Sequence, residues 1–216
     1  MIRVTKSDNI PTSLVTKSTY DGEDVKRQLF EDQHDKCYLC ERKLETDFNI
    51  EHFKSQQHYP QLKNEWSNLL LACGYCNQKK SDRYDCILNP LNEDIEKEIC
   101  QRIDYKERKA VFTSSSVGVE HVNTIKLLES IFNGTERMRK LKEEKFFNHV
   151  VSVMNNFMRF TNRYLLDPND ENAALVRSKL SKDEEFLGLK YWVIKDNPNL
   201  MKSFSNDICW NKVAEE

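Results

Sequence analysis

Apolar positions are sparse and short-ranged in the first half of the chain and helically spaced in the second. Between Asp21 and His34, Val25, Leu29 and Phe30 recur at helical spacing behind an acidic start, which predicts a helix. Phe48-Asn49-Ile50-Glu51-His52 reads as a strand. Trp66 to Ala72 reads as a second strand or as the approach to a helix. Residues 53–65 between them are polar and contain Tyr59-Pro60, which predicts a loop. A helix is predicted to open at Asn77 and run to Arg83. Asn89-Pro90-Leu91-Asn92 is a turn signal and a boundary, and residues 99–118 hold β-like runs around Ser114-Ser115-Ser116. From Glu120, Val122, Ile125, Leu128 and Phe132 sketch one amphipathic helix, broken at Asn133-Gly134. A long helix is predicted from Thr135 to Leu166. There Met138, Leu141, Phe146, Val150, Val153, Met154, Phe157 and Phe160 recur in steps of mostly three or four. Asp167-Pro168 stops it, and two or three shorter helices follow. Residues 1–20, polar and rich in Ser and Thr, predict an extended arm. The pattern is that of an α+β chain, with one unit over 1–95 and a mainly helical region over 96–216.

Composition narrows the function classes. The 216 residues carry a formal net charge of -2. Nucleic-acid binders present a basic face, so here the basic residues must be clustered or a partner must supply affinity. No apolar run approaches the roughly 18 residues of a membrane span. The stretch Met1 to Lys6 has no apolar core, so a secretory leader is not expected and a cytoplasmic location is. In that setting, the paired cysteines among the seven read as metal ligands rather than disulfides.

Cys37-Tyr38-Leu39-Cys40 and Cys73-Gly74-Tyr75-Cys76 are two CxxC units. Each turn delivers two thiolates, and four thiolates make a structural tetrahedral zinc site. Buried or redox cysteines are the bland alternative. Cys86, Cys100 and Cys209 stand alone and read as ordinary thiols.

Glu51-His52 lies between the two pairs, and Asn77 follows the second. Phosphodiester hydrolysis needs a proton acceptor for water and a positive centre on the phosphate and leaving oxygen. A neutral imidazole supplies the first. A hard cation such as Mg²⁺ or Mn²⁺ supplies the second, and it prefers oxygen donors such as a Glu carboxylate and an Asn amide. Adjacent strand residues face opposite sides, so Glu51 and His52 can take different roles.

Ile50-Glu51-His52-Phe53, Trp66 to Cys73 with Asn68 at its centre, and Cys76-Asn77-Gln78-Lys79-Lys80-Ser81-Asp82 together resemble the HNH endonuclease motif. That family is built on a ββα unit around one divalent ion, and many members carry a four-cysteine zinc site. The resemblance implies that His52 is the general base, that Glu51 and Asn77 hold the catalytic ion, and that Asn68 positions the loop and the base. Glu and Asn stand where many members have Asp and His, and both keep an oxygen donor. Gln33 to Lys43, the Ile-Glu-His-Phe step, Asn68 to Cys73 and Leu88-Asn89-Pro90 further resemble PtuB. PtuB is the HNH subunit of Septu-type and retron-linked anti-phage systems, which works with an SMC-like ATPase of the PtuA type. This second resemblance covers most of residues 20–95 and implies a DNA substrate.

Other residues keep two readings. Asn77 also suits a helix N-cap. His58 lies in the loop beside the motif and is a phosphate contact or a solvated histidine. Lys79, Lys80 and Arg83 are phosphate contacts or a solvated helix face. Arg137, Arg139, Lys140, Lys142 and Lys145, diluted by Glu143 and Glu144, read as an ordinary helix surface. The competing functional class is a non-catalytic zinc-ribbon module that binds nucleic acid or protein. It explains the cysteines but leaves Glu51, His52 and Asn77 as coincidence. A scaffold subunit with a vestigial site is a third.

Overall fold

Strand β1 (Asn49–His52) pairs antiparallel with β2 (Leu69–Ala72), in register from Asn49↔Ala72 to His52↔Leu69. Only Cys73 separates β2 from a helix over Gly74–Lys80, so the order is strand, strand, helix. All four residues of β2 are buried, and an apolar run of that kind suits a strand covered on both faces. Trp66–Asn68 form a 3₁₀ turn ahead of β2, and a second such turn covers Pro60–Leu62 within the loop. The computed structural model describes residues 1–16, 19–136 and 138–210.

The predicted Asn77–Arg83 helix lies upstream of that range. Cys73 is its N-cap in extended conformation, with its Sγ accepting from the Cys76 N–H at 3.4 Å. The thiol side chain therefore satisfies a backbone donor that the first helical turn leaves open. Asn77 lies inside the helix rather than at its cap.

The N-terminal stretch departs from an extended arm. Helix α1 (Thr12–Thr16) forms there, Met1, Val4 and Leu14 are buried, and Val4 N–H donates to Pro90 O at 2.8 Å. Three apolar residues so widely spaced leave no periodicity to read. Helix α2 (Glu23–Asp32) follows, burying Val25 and Leu29, and the Gly74–Lys80 helix is α3. Beyond α4 (Ile95–Glu98), strands β3 (Cys100–Asp104) and β4 (Lys109–Thr113) form a hairpin. Its turn is residues 105–108, so Ser114–Ser116 lead out of β4 rather than around it.

Helix α5 (Val119–Asn133) ends where expected, at Gly134 with φ +79°. A Cβ there would come within 2.4 Å of Glu143 Oε2, so the position requires glycine twice over. Helix α6 (Leu141–Leu166) starts later than Thr135. Its start is set by Glu143, whose Oε2 accepts from the Lys140 N–H at 2.9 Å. Met138 and Leu141, assigned to the apolar stripe, are exposed. The buried stripe is Phe146, Phe147, Val150, Met154, Phe157 and Thr161. Helices α7 (Asp170–Ser178), α8 (Leu187–Lys195) and α9 (Pro198–Phe204) complete the chain. The arrangement is α+β and mostly helical after residue 118.

One apolar core runs from Val25, Leu29 and β2 to Phe146, Phe157 and Phe186. Phe132 is its hinge point, with ring centroids 5.3 Å from Phe112 and 5.2 Å from Phe146, both edge-on. The second half of the chain thereby props α3. The Tyr75 hydroxyl donates to Ile131 O at 2.7 Å, and Lys79 Nζ pairs with Glu143 Oε1 at 2.7 Å. No helix among the described residues is long and apolar enough to cross a membrane.

Candidate active site

Two cysteine pairs come from different elements. The first sits in a tight turn in which Cys37 N–H donates to Arg42 O (3.0 Å) and Glu41 N–H to Cys37 O (2.8 Å). Tyr38 N–H donates to Leu71 O at 3.0 Å, which fastens this turn to β2. The second pair is the cap and first turn of α3. All four thiols are buried, and their Sγ atoms lie within 4.8 Å of one another. A zinc ion with four sulfurs at about 2.3 Å needs sulfur separations of roughly 3.8 Å, so a small inward adjustment suffices. Hydrogen bonds from the other thiols pull the Cys73 thiol far down, while burial pushes Cys40 and Cys76 up. Such a set is at ease only around a positive centre. Arg42 lies beside it: burial works against its charge, but the four cysteines outweigh that and hold it cationic. The donor chemistry and spacing fit zinc.

Strand β1 buries both of its functional residues. Glu51 Oε1 pairs with Lys80 Nζ at 2.8 Å. Burial pushes the Glu51 carboxyl up and the Lys80 charge draws it back. His52 Nε2 lies 2.8 Å from the Lys63 carbonyl. A carbonyl only accepts, so Nε2 carries the proton and Nδ1 keeps the lone pair. The Gln56 amide, 3.1 Å from Nδ1, donates to it. Burial also lowers the affinity of the ring for a second proton, so His52 is held neutral with one defined basic nitrogen.

Asn68 spends its whole side chain on the loop backbone. Its Oδ1 accepts from Lys54 N–H at 2.8 Å, and its Nδ2 donates to Lys54 O (3.0 Å) and Leu62 O (3.1 Å). It is a positioning residue that closes the loop carrying the Lys63 carbonyl. Asn77 is half-buried on α3, one turn before Lys80 and on the same side. Its amide has no protein partner among the described residues, so an oxygen donor is free. The buried Tyr38 hydroxyl is likewise unpartnered. Burial raises its pKa most, and Glu51 adds most among the surrounding charges. Glu51 offers a carboxylate, here paired with Lys80, and Asn77 an unpartnered amide oxygen, both donor types that a hard divalent cation takes.

Two residues expected on the nucleic-acid face are committed to carboxylates. Lys80 is fully buried, with its ammonium on Glu51 and on His52 O (3.1 Å). Lys79 is committed to Glu143. Only Arg83 of that group is exposed. In the later basic stretch, Arg139 serves the fold, donating to Arg108 O at 2.8 Å and Asn133 Oδ1 at 3.0 Å. Lys140 pairs with Glu136, Lys142 and Lys145 are exposed, and Arg137 lies outside the described residues. A residue the sequence did not single out, Asp85, accepts from Ser55 N–H (2.7 Å) and Ser55 Oγ (2.7 Å) and meets His58 Nδ1 at 2.7 Å. Nothing in its spacing marks it, because it lies in an irregular turn far along the chain from both partners.

Replacing Lys80 by Met should lower the unfolding free energy of the zinc-loaded chain by about 3 kcal/mol, because Glu51 would keep a buried charge without its partner. Urea unfolding measures this. Adding Glu51→Gln should restore part of the loss, and a Lys80→Met chain as stable as wild type would refute the buried pair.

The strand-strand-helix frame, the flanking cysteines and the neutral imidazole beside a carboxylate define a nuclease class, and the sequence comparison agrees. Residues 37–83 match the model of the HNH endonuclease family. The chain is also similar to the Septu protein PtuB of Bacillus thuringiensis, at 30% identity over 189 residues, covering 79% of this chain and 74% of the relative. It belongs to the PtuB family of HNH endonucleases.

Proposed function

We propose that the chain is a divalent-metal-dependent endonuclease that hydrolyses DNA, acting as the nuclease subunit of a Septu-type defence complex. The observation that carries this is the single defined basic nitrogen of His52 on the strand that also presents Glu51. His52 Nδ1 takes the proton from the attacking water, releasing its hydrogen bond from Gln56. The Lys63 carbonyl steadies the imidazolium through Nε2–H, and Asn68 holds that carbonyl's loop in place. Glu51 and Asn77 would hold Mg²⁺ or Mn²⁺. When bound, the ion neutralises charge on the phosphate and stabilises the leaving 3′ oxygen. Lys80 offsets part of the cost that burial puts on the Glu51 charge. The four cysteines would hold zinc, which would fix the start of α3 against the turn that carries Tyr38.

The net charge of -2 gives little general attraction to DNA. An SMC-like ATPase partner of the PtuA type would supply it, docking on the region 96–216 while 1–95 carries the chemistry in the cytoplasm. The test is cleavage of plasmid and phage DNA with Mg²⁺, Mn²⁺ or EDTA, with and without the ATPase. Metal-dependent cutting is expected. Intact DNA under every condition, with DNA still bound, would sink the nuclease reading in favour of a zinc-ribbon binding module.

A further inference from the structure

Asp85 is an unusual carboxylate for a surface turn. Only 11% of its side chain is exposed, and it is gripped from one direction by Ser55 through both N–H and Oγ. Burial raises its carboxyl, but the Ser55 and His58 hydrogen bonds and the Lys80 charge outweigh this and keep it ionised. Its remaining contact is His58 Nδ1 at 2.7 Å. An ionised carboxylate only accepts, so the Nδ1–H of His58 donates to it and the ring orientation is fixed. The far nitrogen, Nε2, has no partner among the described residues, and half of the side chain is exposed. A histidine oriented from behind by a buried carboxylate and open at the front is built to meet something outside the protein.

The surroundings say what. The charge of Asp85 is felt at Glu51, so the pair lies beside the nuclease centre. The same loop carries Lys54, whose Nζ donates to Asp85 O at 2.5 Å and lies 5.5 Å from the Phe53 ring. It also carries exposed Lys63, 5.5 Å from the Tyr20 ring. Exposed Arg83 lies just before Asp85 in sequence. With Lys79 and Lys80 paired to Glu143 and Glu51, the exposed cations nearest this centre in sequence are on this loop and its neighbour.

We infer that His58, oriented by Asp85, is a DNA-backbone contact. As an imidazolium, its Nε2–H donates to a phosphate oxygen next to the one being cut, and Lys63 and Arg83 flank the same strand. This deepens the nuclease reading, from which it takes its substrate. Asp85 is a positioning residue, since it acts only through His58. A backbone contact of this kind adds affinity without sequence preference.

The test uses the full zinc-loaded chain together with the ATPase partner and a fluorescent DNA duplex, with Ca²⁺ replacing Mg²⁺ so that DNA stays intact. The dissociation constant is read by anisotropy across a salt series. His58→Gln should weaken binding on the order of tenfold and reduce the salt slope by about one. His58→Arg should stay within about twofold of wild type, because it restores the cation. Asp85→Asn should move toward His58→Gln while zinc content and unfolding midpoint stay near wild type. A His58→Gln chain with unchanged affinity and slope overturns the inference. So does equal weakening by His58→Arg, which would mark a structural role, and so does a wild-type chain that does not bind the duplex. A wild type that binds with this pattern yet never cuts in Mg²⁺ leaves the contact standing and removes the nuclease reading.

Discussion

A Cys73→Ser chain is expected to hold no zinc and to be unfolded at ambient temperature. Cys73 does three things at once. It supplies one of the four clustered thiols, its Sγ caps α3 through the Cys76 N–H, and it joins β2 to α3. Structural zinc contributes on the order of 10 kcal/mol of apparent folding free energy, while a whole domain is stable by only about 5–15 kcal/mol. Removing the ion therefore consumes most of the margin. Zinc content by atomic absorption and circular dichroism on heating measure both halves of the expectation, and a strong chelator added to wild type should reproduce the loss. Cys209→Ser, at an exposed isolated thiol, should keep full zinc and stay within about 0.5 kcal/mol of wild type. A Cys73→Ser chain with the wild-type midpoint would mean that the four thiols are a packing cluster.

His52→Ala should remove cutting while leaving zinc content and the unfolding midpoint close to wild type. Loss of a positioned base costs about 10²–10⁴-fold, and Gln56, the group hydrogen-bonded to Nδ1, only donates there. Initial rates on plasmid DNA, with the partner ATPase present, give the factor. Because burial lowers the pKa of His52 below its ordinary 6.5, the ring is still neutral at mildly acidic pH. The acid limb of the rate profile should therefore fall below pH 6.5. Residual cutting within tenfold of wild type, or an acid limb well above 6.5, would take the base role from His52.

The site was more legible than its setting. Cys37, Cys40, Cys73 and Cys76 are fixed by local turns, so their spacing along the chain is also their chemistry. Glu51 and His52 are placed by a short strand whose partner is a plain apolar run. What escaped depended on distant contacts. Lys80 looks like any helix lysine until β1 is known to bring Glu51 against it. Asp85 matters only because a loop folds back to Ser55 and His58. The start of α6 was misjudged because Met138 and Leu141 continue its period outward, whereas Glu143 and Gly134 decide where the helix begins.

Glu143 is shared between two elements. One oxygen takes the Lys79 ammonium of α3, and the other takes the Lys140 N–H at the head of α6. Lys79 stands two residues after Asn77 and three after Cys76, so a shift at the head of α6 would reach the helix turn that carries both. Thermodynamic reciprocity then applies. Anything that docks on the C-terminal helices and prefers one position of that junction would change the affinity of the cysteine cluster for an ion. Loading that ion would change the docking affinity by the same factor.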